Sequence, residues 1–227
     1  MELKELRGKE RTAESGRRRE KMVCAAYECF CRRGIAGTSI ADIAREAEFG
    51  EATLYRYFAN KETLVLECGM LFWSKVRDFM EEERLGPNFA AKSGMEQVEA
   101  LIWRAYAFYR QNTAAFRLIH DLDGMLLSGK VGKGQVSGYE QAVDQMRPVL
   151  CDAIEKGKRD GSIADHGDTT VLYYALTNGI LSMMQKQAAA GRLLESDAAV
   201  GEEQKLTQLL ELLAAGLRAM YGKDEKG

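Results

Sequence analysis

Apolar residues recur along this chain with the period of a helix, and alternation of the strand type is scarce. Residues 1–16 are polar and charged with no apolar period, which predicts a flexible N-terminal tail. From Arg17 the pattern changes. Met22, Val23, Ala26, Cys29 and Phe30 repeat at helical spacing, and Gly34 closes the helix as a C-cap candidate. Ser39 followed by Asp42 has the spacing of a capping box. Ile40, Ile43, Ala44 and Ala47 then share one face of a helix of about two turns. A second very short helix is predicted from Glu51 to Phe58, and Asn60 is placed to cap a third. Leu64 to Met80 is apolar on nearly all sides, the pattern of a buried helix.

Gly86-Pro87-Asn88 breaks the pattern. Val98, Leu101, Ile102, Ala105, Tyr106 and Tyr109 make the next stripe, and Phe116 to Leu127 a further apolar run. The Gly-rich segment SGKVGKGQVSG reads as a mobile loop. A stripe from Tyr139 to Ile154 follows, which Pro148 should kink because it removes a backbone donor. Gly161 ends that helix, and Thr170 to Ala190 and Glu202 to Tyr221 are the last two. The expected fold is all-α, with about nine helices and no strand.

The stretch EFGEATLYRYFANK sets the functional question. It holds a helix too short to survive alone, since isolated helices below roughly 12 residues are marginal. It is also too aromatic for a plain loop. Two short helices joined by a tight turn have a well-attested use, in which the first fixes the second and the second enters the DNA major groove. Ile40, Ile43 and Ala47 on one helix, with Leu54 and Phe58 on the next, build a small shared core. Glu51, Thr53, Tyr55 and Tyr57 are left on the other faces. Thr and Tyr hydroxyls bond phosphates, and a Thr methyl touches a thymine methyl. Lys61, just after Asn60, adds charge beside a helix N-terminus.

The run GTSIADIAREAEFGEATLYRYFANKETL resembles the DNA-binding helix-turn-helix of TetR-type transcriptional regulators. The likeness extends back through AAYECFCRRGIAGTS and covers about residues 17–76, with the helix-turn-helix at 39–58. It implies DNA contacts at Thr38, Ser39, Thr53, Tyr55, Tyr57 and Lys61, and also at Glu51, Ala52 and Arg56. Residues 77–227 would then form a ligand-binding and dimerisation domain. Two positions depart from the family pattern. Glu48 stands where the family usually has Gly, and Glu51 where many members carry Lys or Arg. An acidic side chain at 51 cannot neutralise a phosphate, although it could accept from a cytosine amino group.

Composition sharpens this picture only slightly. The chain has 227 residues, 46% hydrophobic and 29% charged, which is ordinary for a globular protein. Residues 1–61 carry 13 Lys+Arg against 10 Asp+Glu, whereas residues 62–227 carry 19 against 24. A basic end on an acidic body points mildly to an anionic partner for that end. Arg17, Arg18 and Arg19 precede the first helix, either as a solvated run or as minor-groove or phosphate contacts. The five Cys are irregularly spaced and odd in number, so reduced thiols and a cytoplasmic protein are expected. No secretory signal or membrane-length apolar stretch is legible. No metal site, catalytic constellation or cofactor is expected; His120 and His166 lie far apart.

One competing motif is present. Residues 124–131, GMLLSGKV, nearly spell a phosphate-binding loop and would make the chain a nucleotide-binding or hydrolysing protein. Val131 stands where the metal-binding Ser or Thr belongs, and the preceding pattern is helical. Among the many aromatics, Phe72, Trp73, Trp103, Tyr106, Tyr109, Phe116 and Tyr173 are candidates to line an apolar inducer cavity. On the last two helices, Ala175, Gly179 and Ser182 make a stripe of small residues, and Leu206, Leu209, Leu210, Leu213 and Leu217 an apolar one. Two such helices per chain could build a four-helix interface about a twofold axis. The resemblance implies the same, a homodimer on double-stranded operator DNA, most simply a repressor released by a small-molecule inducer.

Overall fold

The computed structural model describes residues 2–129, 131–165, 167–190 and 195–222. These form eleven helical segments and, among the described residues, no strand. They are the nine helices expected, with the one across Pro148 divided in two and a four-residue segment added. The chain separates into two compact units, one of residues 1–72 with 121–139 and one of residues 73–120 with 140–227. The sequence boundary near residue 76 therefore needs a correction, because 121–139 groups with the N-terminal part. Packing explains this: a Cβ on Gly69 would sit 2.6 Å from Leu122 Cδ1 and 2.7 Å from Tyr139 Cε2. These three positions are in intimate contact, although 50 or more residues of chain lie between the first and the others.

In the first unit, α1 runs Glu2–Arg33, α2 Ile40–Ala47 and α3 Glu51–Tyr57. Helix α4, Lys61–Arg84, begins here. The expected tail 1–16 is instead helical from Glu2, continuous with the rest of α1. Its Glu, Leu, Lys and Arg are strong helix formers, and no Pro interrupts them. Gly34 adopts φ +75°, the left-handed conformation that a helix C-terminus favours and a Cβ resists. Met22, Cys29, Phe30, Ile43, Ala47, Leu54, Leu64 and Phe72 form the dry centre of this unit.

The second unit holds α5 (Gly94–Gln111), α8 (Arg147–Asp160), α9 (Thr169–Ala190), α10 (Glu195–Ala198) and α11 (Glu202–Tyr221). The division between units falls inside α4, α6 (Thr113–Leu127) and α7 (Lys133–Asp144). Pro148 does not kink a helix but starts one, since α7 ends at Asp144 and Pro148 lies in the first turn of α8, where its missing N–H costs nothing. Ser93 and Glu96 form a reciprocal capping box that begins α5. Helices α5 and α8 cross backbone to backbone: a Cβ on Gly94 would lie 2.0 Å from Gly157 N. Asp160 Oδ2 accepts from Gly94 N at 2.8 Å and fixes the same crossing.

The Gly-rich segment is not a single loop, because α7 begins at Lys133 within it. The nucleotide-loop reading of 124–131 fails here too. Gly124 to Leu127 are the last residues of α6, and the amides that follow turn back onto it, Ser128 N to Gly124 O and Gly129 N to Leu126 O, each at 3.1 Å. A phosphate-binding loop needs such amides free and convergent. Lys130 and His166 lie outside the described residues. Among those described, no helix is long and apolar enough to cross a membrane.

Candidate nucleic-acid interface

Helices α2 and α3 with the turn between them form the helix-turn-helix. Ser39 caps α2: its hydroxyl accepts from Asp42 N at 3.1 Å, while Asp42 Oδ2 accepts from Ser39 N at 3.0 Å. Asp42 also accepts from Arg45 at 2.6 Å and faces Arg33 at 3.3 Å. The bonds from Ser39, then the nearby guanidinium groups, hold the Asp42 carboxyl well below the usual carboxylate range. A depressed acid contributes stability above its unfolded pKa, about 3.9, and loses it as pH falls through the folded value. The stability gap between wild type and Asp42→Asn should therefore be full from neutral pH down to about pH 5 and shrink below about pH 4. Urea unfolding at stepped pH measures it, and a gap that stays constant down to the acid limit would contradict the capping geometry.

The turn keeps the reverse bend without glycine. Glu48 takes φ 59° and ψ 40°, left-handed, and its N–H bonds Ala44 O and Arg45 O. This conformation costs a non-glycine residue roughly 1–2 kcal/mol. The Glu48 carboxylate reaches Lys21 Nζ on α1 at 2.5 Å, and that ammonium lies 5.6 Å from the centre of the Phe49 ring. Phe49 N then bonds Ala44 O at 2.9 Å, and Gly50 opens α3.

Within α3, Leu54 points into the core, as does Phe58 just beyond its end. Glu51, Ala52, Tyr55 and Arg56 are exposed, and Thr53 and Tyr57 half-buried. Tyr55, at 54% exposure, is the large apolar side chain this helix offers to solvent. The Tyr57 hydroxyl lies 3.3 Å from Ser15 Oγ, and the Arg56 guanidinium 5.6 Å from the Tyr57 ring. Asn60 caps α4 by accepting from Thr63 N at 2.8 Å. Lys61, in the first turn, is half-buried, and that burial lowers its ammonium pKa. One expected contact must be corrected. Thr38 is 1% exposed, and its hydroxyl donates to Gly34 O at 2.8 Å and Cys29 O at 3.3 Å. It anchors the entry to α2 and has no surface to give to DNA. Ser39 remains exposed.

Sequence reasoning missed the residues of α1 that hold this motif. Arg32 pairs with Glu46 at 2.7 Å and Arg19 with Glu67 at 2.5 Å, in addition to the Lys21 and Arg33 pairs. Their partners lie 9 to 48 positions away, on other helices or in the turn, so no spacing within one helix announces them.

In the second unit the aromatics sort into fixed and exposed sets. Phe108 and Phe116 pack edge to face at 6.1 Å, and Tyr109 and Phe116 at 5.0 Å. The Tyr109 hydroxyl donates to Glu202 at the start of α11, so it serves as a strut. Tyr106 is buried and Trp103 38% exposed, their rings 6.1 Å apart. Burial pushes the Tyr173 phenol up to about 12. On α4, Phe72 is fully buried and Trp73 half-buried. The leucine stripe also needs correction. Leu206, Leu210 and Leu217 are at most 5% exposed and belong to the chain's own core, while Leu209 and Leu213 are half-buried. Ala175, Gly179 and Ser182 are exposed. Val171, Tyr174 and Asn178 share their face of α9, and Gln208, Leu212, Ala215 and Ala219 form the outward stripe of α11.

Comparison with known proteins agrees with this geometry. A family model described as bacterial regulatory proteins, tetR family, matches residues 23–68. The HTH-type transcriptional repressor KstR2 of Mycobacterium tuberculosis is 24% identical over 160 residues, covering 69% of this chain and 74% of the relative. Among solved structures, FadR from Bacillus subtilis, in complex with stearoyl-CoA, has a TM-score of 0.63 at 16% identity, covering 87% of this chain and 98% of that one. The ketosteroid regulator KstR2 of Mycobacterium tuberculosis has a TM-score of 0.59 at 20% identity, covering 91% and 96%.

Proposed function

We propose, for a chain that belongs to the TetR family of bacterial transcriptional regulators, the following activity. It is a repressor that binds a palindromic operator as a homodimer through α3 and leaves it when a small molecule binds the second unit. The observation that carries this reading is the face of α3. Leu54 turns inward while Glu51, Ala52, Tyr55 and Arg56 remain exposed on a helix of seven residues, long enough to cross a groove and too short to be its own core.

In this reading Ser39, Tyr55, Tyr57 and Lys61 meet backbone phosphates, and Thr53 a base edge. Glu51 faces the duplex as the one acid on α3. Induction is a population shift. The ligand binds better to a conformation whose two recognition helices no longer match successive major grooves, about 34 Å apart. A relative in complex with stearoyl-CoA supports an inducer with a large apolar portion. The outward stripes of α9 and α11 supply the twofold interface, with the small residues Ala175, Gly179 and Ser182 allowing close approach.

The direct test is on the recognition helix. Tyr55→Ala combined with Lys61→Ala should weaken operator binding about tenfold or more at moderate salt, because each lost phosphate contact removes part of a salt-dependent term. The fold and the association state should not change. Equal affinity of the double variant and the wild type would remove these residues from the interface.

A further inference from the structure

We infer that Arg19 and Lys21 are positioning residues that hold α3 at its two ends, rather than phosphate contacts. This rests on the DNA-binding reading of α3. That helix has seven residues, of which Leu54 alone is buried within it. So short an element has little packing of its own to set its direction, and its orientation depends on what grips its ends.

Both ends are gripped from α1. At the far end, Phe58 is the C-cap residue of α3 and is 3% exposed. The Arg19 guanidinium stacks 5.1 Å from the Phe58 ring centre. It also donates to both oxygens of Glu67 on α4, at 2.7 and 2.5 Å. A planar fork matched to a carboxylate is strong and directional. At the near end, Lys21 pairs with Glu48 at 2.5 Å and lies 5.6 Å from the Phe49 ring centre. Glu48 is the residue with left-handed backbone in the turn. The Lys21 grip therefore falls on the position whose conformation sets the angle between α2 and α3. Two residues apart on a helix, the side chains leave α1 in different directions, one toward α4 and Phe58, the other toward the turn. Each cation is already engaged with a carboxylate and an aromatic face, which leaves it poorly placed to neutralise phosphate.

The two roles predict different DNA behaviour. A phosphate contact contributes equally to every sequence, so its loss lowers the salt slope by about one ion and weakens all duplexes alike. A positioning residue affects the fit to one sequence and leaves general binding alone. The test uses the full chain, a duplex that wild type enriches from a randomised pool, and a scrambled duplex. Arg19→Gln should weaken the enriched duplex about tenfold and Lys21→Gln about threefold, the second less because an exposed ion pair is weaker than a forked one. Affinity for the scrambled duplex and its salt slope should stay at wild-type values. Glu48→Gly removes the left-handed strain, so in that background Lys21→Gln should change nothing further. Amide exchange at Leu54 to Phe58 should quicken in Arg19→Gln.

Parallel loss on both duplexes with a reduced salt slope would make the residues phosphate contacts and overturn the inference, as would unchanged specific affinity. A Lys21→Gln effect that persists undiminished beside Glu48→Gly would overturn its action through the turn. If wild type enriches no duplex, the DNA-binding reading fails separately, and amide exchange then decides the clamp: faster exchange supports it and unchanged exchange overturns it.

Discussion

Gly94→Ala is expected to cost about 3 kcal/mol or more of stability, the upper end of what overpacking a core produces. The added methyl would stand 2.0 Å from Gly157 N, 2.2 Å from Gly157 Cα and 2.6 Å from Ala153 O. All three are backbone atoms, so no side chain can rotate out of the way. Helices α5 and α8 would have to separate, and Gly94 N, Met95 N and their partners Asp160 Oδ2 and Ser162 Oγ would part with them. A matched control lies on α6. Gly124 is helical and exposed, and its added methyl would meet nothing within 4 Å. Gly124→Ala should therefore stabilise by roughly 0.5–1 kcal/mol, through lower chain entropy in the unfolded state. Urea denaturation followed by helical circular dichroism measures both. Opposite signs are expected, and a wild-type midpoint for Gly94→Ala would contradict the described crossing.

If the chain pairs through α9 as proposed, Gly179→Trp should convert that dimer to a monomer without unfolding the chain. A Cβ at Gly179 has open space around it, so the indole meets no atom of its own protomer at that point. It would stand in the middle of the stripe formed by Tyr174, Ala175, Asn178 and Ser182, where close approach of a partner helix leaves no room for it. On the proposed reading a palindromic operator is held by two heads at once, so the monomer should lose at least about a hundredfold in operator affinity. Sedimentation at micromolar concentration and duplex titration are the two readouts. A dimer that tolerates the tryptophan would move the interface off α9. Substituting Leu210, fully buried in its own chain, would be a poor test, since it would damage the protomer's core.

Much of the helix-turn-helix was legible in the order of residues. Its features are local: Ser39 to Asp42 is one helical turn, Gly34 and Asn60 mark helix ends, and Leu54 with Phe58 is an i, i+4 pair. Capping and periodicity act over a few residues, so a single sequence carries them. Chain order also showed the helical class, the breaks at Gly86-Pro87 and Gly161, and the span of α11. It misled where a local signal had two meanings. Thr38 has the chemistry of a phosphate ligand, yet its hydroxyl serves Gly34 O and Cys29 O. Leu206, Leu210 and Leu217 have the spacing of an interface, yet they lie in the protomer's core. Periodicity shows that a face is covered, but the covering body is decided by packing. Tertiary structure alone brought Lys21 to Glu48 and Arg19 to Glu67, and drew 121–139 into the N-terminal unit against Gly69. Those contacts join residues 27 to 70 positions apart, and no pattern over one or two helical turns encodes a separation of that length.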